Sequence, residues 1–195
     1  MDYLKYYDLE RYLFEDVSKR FRKEGSIGAF DFFSIVVWKA NRAKSQIARK
    51  LLTNQTGKKD LESVCRRLTD SLHRIPTPKE RLCFLMKEWK FALPMASAIL
   101  SVCWPDDFTV YDYRVCEMLE SKKLGEFHYL KGVVFSERMW NGYLDFKSAV
   151  AKATPKALSV RDRDRYLWGE SAALQLVEDI RRGFPKDPEI QSNKR

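Results

Sequence analysis

The sequence predicts an all-α fold, one compact multi-helix domain over residues 1–184 followed by a polar tail at 185–195. Three observations predict it. Apolar residues recur at spacings of three and four along nearly the whole chain, the signature of helices with one buried face. The Gly- and Pro-containing turns fall between those stripes instead of inside them. Hydrophobic residues make up 45% of the chain and aromatics 13%, enough apolar surface for a folded core in a chain of 195 residues.

Asp8–Arg22 places Leu9, Leu13, Val17 and Phe21 on one face, and Gly25-Ser26-Ile27-Gly28 then ends that helix. A long helix is expected from Ala29 to Leu52, with Phe32, Val36, Ala40, Ala43, Ile47 and Leu51 inward. Lys39, Arg42, Gln46 and Arg49 recur on a different face, so one side buries while the other presents positive charge. Thr53–Lys59 reads as a polar loop. Asp60–His73 is a helix with Leu61, Val64, Leu68 and Leu72 inward. Thr77-Pro78-Lys79-Glu80 is a capping box with proline at the first helical position, the sharpest helix start in the chain. It leads into Leu82, Leu85, Met86 and Trp89. Pro94 permits a turn before an apolar helix at Met95–Trp104, and Trp104-Pro105-Asp106-Asp107 breaks it. An extended Phe108-Thr109-Val110 precedes a helix that Asp112 opens. Lys122–Gly125 is a loop, Phe127–Val134 fits no pattern, and Glu137–Ala151 is helical up to the break at Thr154-Pro155. The last helix, Ser159–Arg182, carries Tyr166, Leu167, Leu174, Val177 and Ile180.

Lysine and arginine outnumber aspartate and glutamate by 36 to 27, a net charge of +9. Such a balance favours polyanionic partners, since neutralising phosphates releases counterions; the alternative is basic surface that serves solubility. The N-terminus carries no basic-then-apolar leader, and Ala92–Trp104 is too short to span a bilayer. Cys65, Cys83, Cys103 and Cys116 have neither metal-ligand nor redox spacing and read as reduced, mostly buried residues of a cytoplasmic protein. With His73 and His128 the only histidines, no metal site is expected.

Three clusters carry candidate chemistry. Asp112, flanked by Tyr111 and Tyr113 and followed by Arg114, stands where a helix begins. Free N–H groups and the helix dipole favour an anion there, but aspartate is also a preferred N-cap and needs no further role. Arg114 either meets a phosphate or pairs with Asp112 or Glu117. Trp38-Lys39-Ala40-Asn41-Arg42-Ala43-Lys44 interleaves cations and an amide with small residues, which suits a helix beside a phosphate backbone or a solvated face. Asn41 both donates and accepts, as reading a base edge requires. Arg161-Asp162-Arg163-Asp164-Arg165 alternates in sign and reads as local salt bridges, with Trp168 in the core.

The run Ala92-Leu93-Pro94-Met95-Ala96-Ser97-Ala98-Ile99-Leu100, then Pro105-Asp106-Asp107-Phe108-Thr109-Val110, then Asp112, resembles the signature of helix-hairpin-helix base-excision DNA glycosylases. The resemblance covers roughly residues 78–120. It implies a helix-hairpin-helix glycosylase-like fold, duplex DNA as partner and monofunctional excision without a cofactor. Asp112 would then stabilise the oxocarbenium-like sugar or orient water, while Tyr111 or Tyr113 stacks on the extruded base. Lys39, Arg42 and Arg49 would hold the backbone.

The chain departs from that signature in four ways. The hairpin has no glycine to admit a phosphate, and Pro94 stands where bifunctional members place a Schiff-base lysine. The iron–sulfur cysteine quartet is missing, and Asp112 is displaced by one residue after Tyr111. Two other function classes stay open: a non-catalytic helical nucleic-acid-binding module and a protein-interaction domain whose charge is incidental.

Overall fold

The computed structural model describes residues 3–53 and 60–184, and no strand occurs among them. The tail at 185–195, and the expected polar loop beyond Thr53, lie outside the described residues. The first helix is interrupted by a π-turn: α1 (Leu9–Tyr12) joins α2 (Ser18–Glu24) through Leu13–Val17. Asp8 caps it by accepting from the Arg11 N–H, and Gly25 closes it at φ 76°. Leu13, Val17 and Phe21 are all buried, as their spacing requires.

The single helix expected over Ala29–Leu52 is two. α3 (Ala29–Ala40) ends where Ala40 leaves helical space at φ −160°, ψ 74°, and α4 (Lys44–Thr53) resumes after a 3₁₀ turn at Asn41–Ala43. A 3₁₀ turn advances three residues per turn, so the apolar stripe stays in phase through the break and conceals it. Phe32, Val36, Ile47 and Leu51 bury on either side of the bend. The bend lets α4 turn onto α5 while α3 continues against α7.

α5 (Leu61–His73) starts on an Asp60 cap, and α6 (Pro78–Lys87) on Thr77, which accepts from the Glu80 N–H and donates its hydroxyl to Glu80. α7 (Leu93–Cys103) is the centre of the molecule, with every residue buried except Pro94. It touches α2, α3 and α6. α8 (Tyr113–Ser121), α9 (Glu137–Ala153) and α10 (Val160–Arg182) form a second group in which α10 lies on both α8 and α9. The buried apolar residues of both groups make one continuous cluster.

The segment between α7 and α8 crosses this core without a helix or sheet to satisfy its backbone. Side chains do so instead. The Thr109 N–H donates to the Tyr143 hydroxyl, which donates in turn to the Thr109 carbonyl at 2.7 Å. The Val110 N–H donates to Asp164 at 2.9 Å, and the Tyr111 N–H to the Ser97 hydroxyl at 3.0 Å. Three helices thereby fix the approach to Asp112. Tyr143→Phe strands two buried backbone groups, and about 2 kcal/mol should be lost in urea unfolding, the cost of unpaired buried groups. A cost below a few tenths of a kcal/mol would show that water replaces the hydroxyl.

The final helix departs from expectation. Leu167 is buried, but Tyr166, Leu174, Val177 and Ile180 are exposed. Among the described residues no helix is long and apolar enough to cross a membrane.

Candidate functional site

Asp112 is the N-cap of α8. Its Oδ1 accepts from the Arg114 N–H at 3.0 Å, the duty its position in the sequence suggests. Its Oδ2 accepts from the Lys39 ammonium at 2.5 Å. Lys39 therefore does not stand on a solvated basic face; its side chain is 10% exposed, against 26% for Asp112. The end of α3 carries it inward just before the chain bends at Ala40. An ion pair so placed costs desolvation, which only close geometry and further hydrogen bonds offset.

The pair divides two cavities and lines both. The first, about 440 Å³, lies between α1, α3, α8 and α10 and has the indoles of Trp38 and Trp168 in its walls. Trp168 is 48% exposed there, where a core position was expected. Each indole carries a guanidinium on its ring. Arg161 lies 5.2 Å from the Trp38 centroid and 4.8 Å from that of Phe14; Arg114 lies 5.6 Å from that of Trp168. Such stacks fix both partners.

Arg161 is the post of this cavity. It donates to Glu10 at 2.5 Å and pairs with buried Asp164, whose other oxygen holds the Val110 N–H. Burial pulls its guanidinium below the ordinary value, opposed chiefly by Glu10. The alternating run around it thus splits. Asp162 and Arg165 make the local pair that alternation suggests, while Arg161 and Asp164 turn inward one helical turn apart.

The second cavity, about 550 Å³, is a groove between α4, the hairpin before α7 and the start of α8. Lys50, Lys90 and Lys131 line it beside Lys39 and His128, with Asp112 its single carboxylate among the described residues. Lys50 donates to the Lys90 carbonyl at 2.5 Å, so the hairpin backbone is tied to α4. No glycine opens this hairpin, and lysine side chains supply its positive charge instead.

The two tyrosines separate. Tyr111 borders the groove but is 2% exposed; its hydroxyl donates to the Phe127 carbonyl at 2.9 Å and its ring packs on Phe146. Burial pushes its phenol far above the ordinary range. It is built to hold the groove wall, and its face is not free to stack on a base. Tyr113 is 58% exposed on the groove, 4.8 Å from the His128 ring, with Glu117 raising its phenol. Arg114 pairs with neither Asp112 nor Glu117.

The bend at Ala40 also divides the expected basic face. Arg42 and Arg49 are exposed and line neither cavity, and the Asn41 side-chain oxygen accepts from Lys44 at 2.9 Å. Glu10 was not singled out by sequence, Trp38 entered only as the first residue of the basic run, and Trp168 was expected in the core. Glu10 meets Arg161 across 151 positions, a separation at which no local pattern operates. Among the described residues no three His, Cys, Asp or Glu side chains gather as a metal site would need. Cys65, Cys103 and Cys116 are buried, and burial pushes the Cys116 thiol up to about 11.

No family model matches the chain, and no curated protein or solved structure is matched by it.

Proposed function

We propose that this protein binds DNA and excises a base as a monofunctional, helix-hairpin-helix glycosylase-like enzyme. The observation that carries the reading is the position of the Lys39–Asp112 pair, between a basic groove and a cavity walled by two indoles. In this arrangement the phosphate backbone runs along Lys50, Lys90 and Lys131, where the charge matches a polyanion. The sugar lies at Asp112, and the extruded base enters the cavity of Trp38 and Trp168. Asp112 faces the anomeric carbon as the glycosidic bond breaks and positive charge develops there, stabilising that charge or orienting water. Lys39 holds the carboxylate in place. Arg42 and Arg49 supply outlying charge, and Tyr113 and Arg114 border the path between groove and cavity.

The test is release of free base from duplex pools treated with alkylating, deaminating or oxidising agents, scored as new abasic sites. Release by the wild type from one pool and its loss in Asp112→Asn are expected. Asp112 already has both oxygens occupied, by the Arg114 N–H and by Lys39, and this favours a second reading: a non-catalytic nucleic-acid-binding module in which Asp112 only caps α8. Salt-dependent DNA binding with no base released from any pool supports that reading.

A further inference from the structure

Three carboxylates line the indole-walled cavity, and they are not equivalent. Asp112 spends one oxygen on the Arg114 N–H and the other on Lys39. Asp164 spends one on the Val110 N–H and the other on Arg161. Glu10 directs a single oxygen, Oε1, to both Arg161 at 2.5 Å and Arg165 at 3.0 Å. Both contacts are made through this one oxygen, and the side chain is 32% exposed at the cavity, against 26% for Asp112 and 5% for Asp164. Glu10 is thus the most exposed of the three carboxylates in this chamber, and two guanidiniums hold it through one oxygen.

We infer that Glu10 reads the extruded base, accepting a hydrogen bond at Oε2 from an N–H on the edge of a neutral nucleobase stacked against Trp38 or Trp168. The inference rests on the proposed DNA-base reading and adds the recognition residue and the class of base. A carboxylate accepts and does not donate, so a base without an N–H on its edge desolvates Oε2 and offers it no hydrogen bond. The ligand is neutral because each indole already carries a cation, Arg161 on Trp38 and Arg114 on Trp168. A second positive ring on the same π-system would be repelled by these guanidiniums.

The probes are 2′-deoxyadenosine, which has an exocyclic amine, and purine 2′-deoxyriboside, which stacks alike but carries no N–H on its base. Both are titrated without DNA into ¹⁵N-labelled wild type and Glu10→Gln. The indole N–H signals of Trp38 and Trp168 are followed, assigned with Trp38→Phe and Trp168→Phe. Glutamine keeps an oxygen for Arg161 and Arg165, which preserves the post. In the wild type, deoxyadenosine should move both signals and bind at least about tenfold more tightly than purine deoxyriboside, the value of one hydrogen bond to a charged acceptor. In Glu10→Gln that preference should collapse to about twofold or less.

Equal affinity of the two nucleosides in the wild type, an undiminished preference in Glu10→Gln, or no indole shift with either nucleoside overturns the inference. Salt-dependent binding of an abasic duplex by Glu10→Gln is read separately. If that binding persists while the wild type fails to discriminate between the two nucleosides, Glu10 is not the reader but the DNA reading stands. If binding and discrimination are both absent, the DNA reading falls with it.

Discussion

Replacing Asp112 with asparagine should abolish base release while leaving the protein folded and able to bind DNA. Asparagine caps a helix nearly as well as aspartate, so the start of α8 keeps its hydrogen bond to the Arg114 N–H. What is lost is the negative charge opposite the developing sugar cation. Removing one such electrostatic contact from a preorganised site slows excision by roughly 10²–10³-fold. The substitution also leaves the Lys39 ammonium without its partner at a position only 10% exposed. Breaking a fully buried pair costs about 3–5 kcal/mol; with Asp112 itself a quarter exposed, a loss of about 1–2 kcal/mol is expected after discounting for solvent. Lys39→Met combined with Asp112→Asn should recover most of that stability in urea unfolding and none of the excision. Unchanged base release in Asp112→Asn would reduce the residue to a cap.

Arg161 should have the largest effect on stability of any charged residue in the cavity wall. Its guanidinium joins α10 to α1 through Glu10, neutralises buried Asp164 and lies against the rings of Phe14 and Trp38. Arg161→Met strands the Asp164 carboxylate, which must still hold the Val110 N–H. A loss of about 3–5 kcal/mol is expected, with Trp38 and the cavity wall disordered as a consequence. Arg161→Met with Asp164→Asn removes both charges together, and a large part of the loss should return. Arg165→Gln supplies the contrast. That side chain is more than half exposed and its ion pairs are screened, so a change under about 1 kcal/mol is expected. Similar losses for Arg161→Met and Arg165→Gln in parallel urea titrations would show that Arg161 is not the post.

The helices were legible in the sequence wherever local rules operate. Thr77-Pro78 announces α6 because its signal is complete within four residues, and Asp60, Ser136 and Ser159 cap helices as their side chains allow. The bend at Ala40 was hidden because a 3₁₀ turn preserves the apolar spacing that marks a helix. Its consequence reaches the site: Lys39, before the bend, pairs with Asp112, whereas Arg42 and Arg49, beyond it, stay exposed and line neither cavity. The uncovered stripe on α10 has a related cause. Periodicity reports an apolar face and says nothing of whether a neighbour covers it.

At the site, Asp112 was legible from its place before a helix, while its surroundings were not. Tyr111 and Tyr113 are two residues apart and look alike in sequence; opposite orientations put one in the core and the other on the groove. Arg161 and Asp164 sit in a run whose alternating charge suits solvent. The distant Glu10, the rings of Phe14 and Trp38 and the Val110 N–H that donates to Asp164 draw them inward.

The most direct test of the central claim is binding to DNA across a range of salt concentrations, using one duplex intact and the same duplex with a stable abasic-site analogue. An empty nucleotide removes the cost of unstacking a base, so a protein that holds an extruded nucleotide at Asp112 should favour the analogue by about tenfold or more, an energy of about 1.4 kcal/mol. Affinity for both duplexes should fall steeply with salt as phosphates exchange lysines for counterions. Equal affinity for the two duplexes, or binding indifferent to salt, would contradict the account.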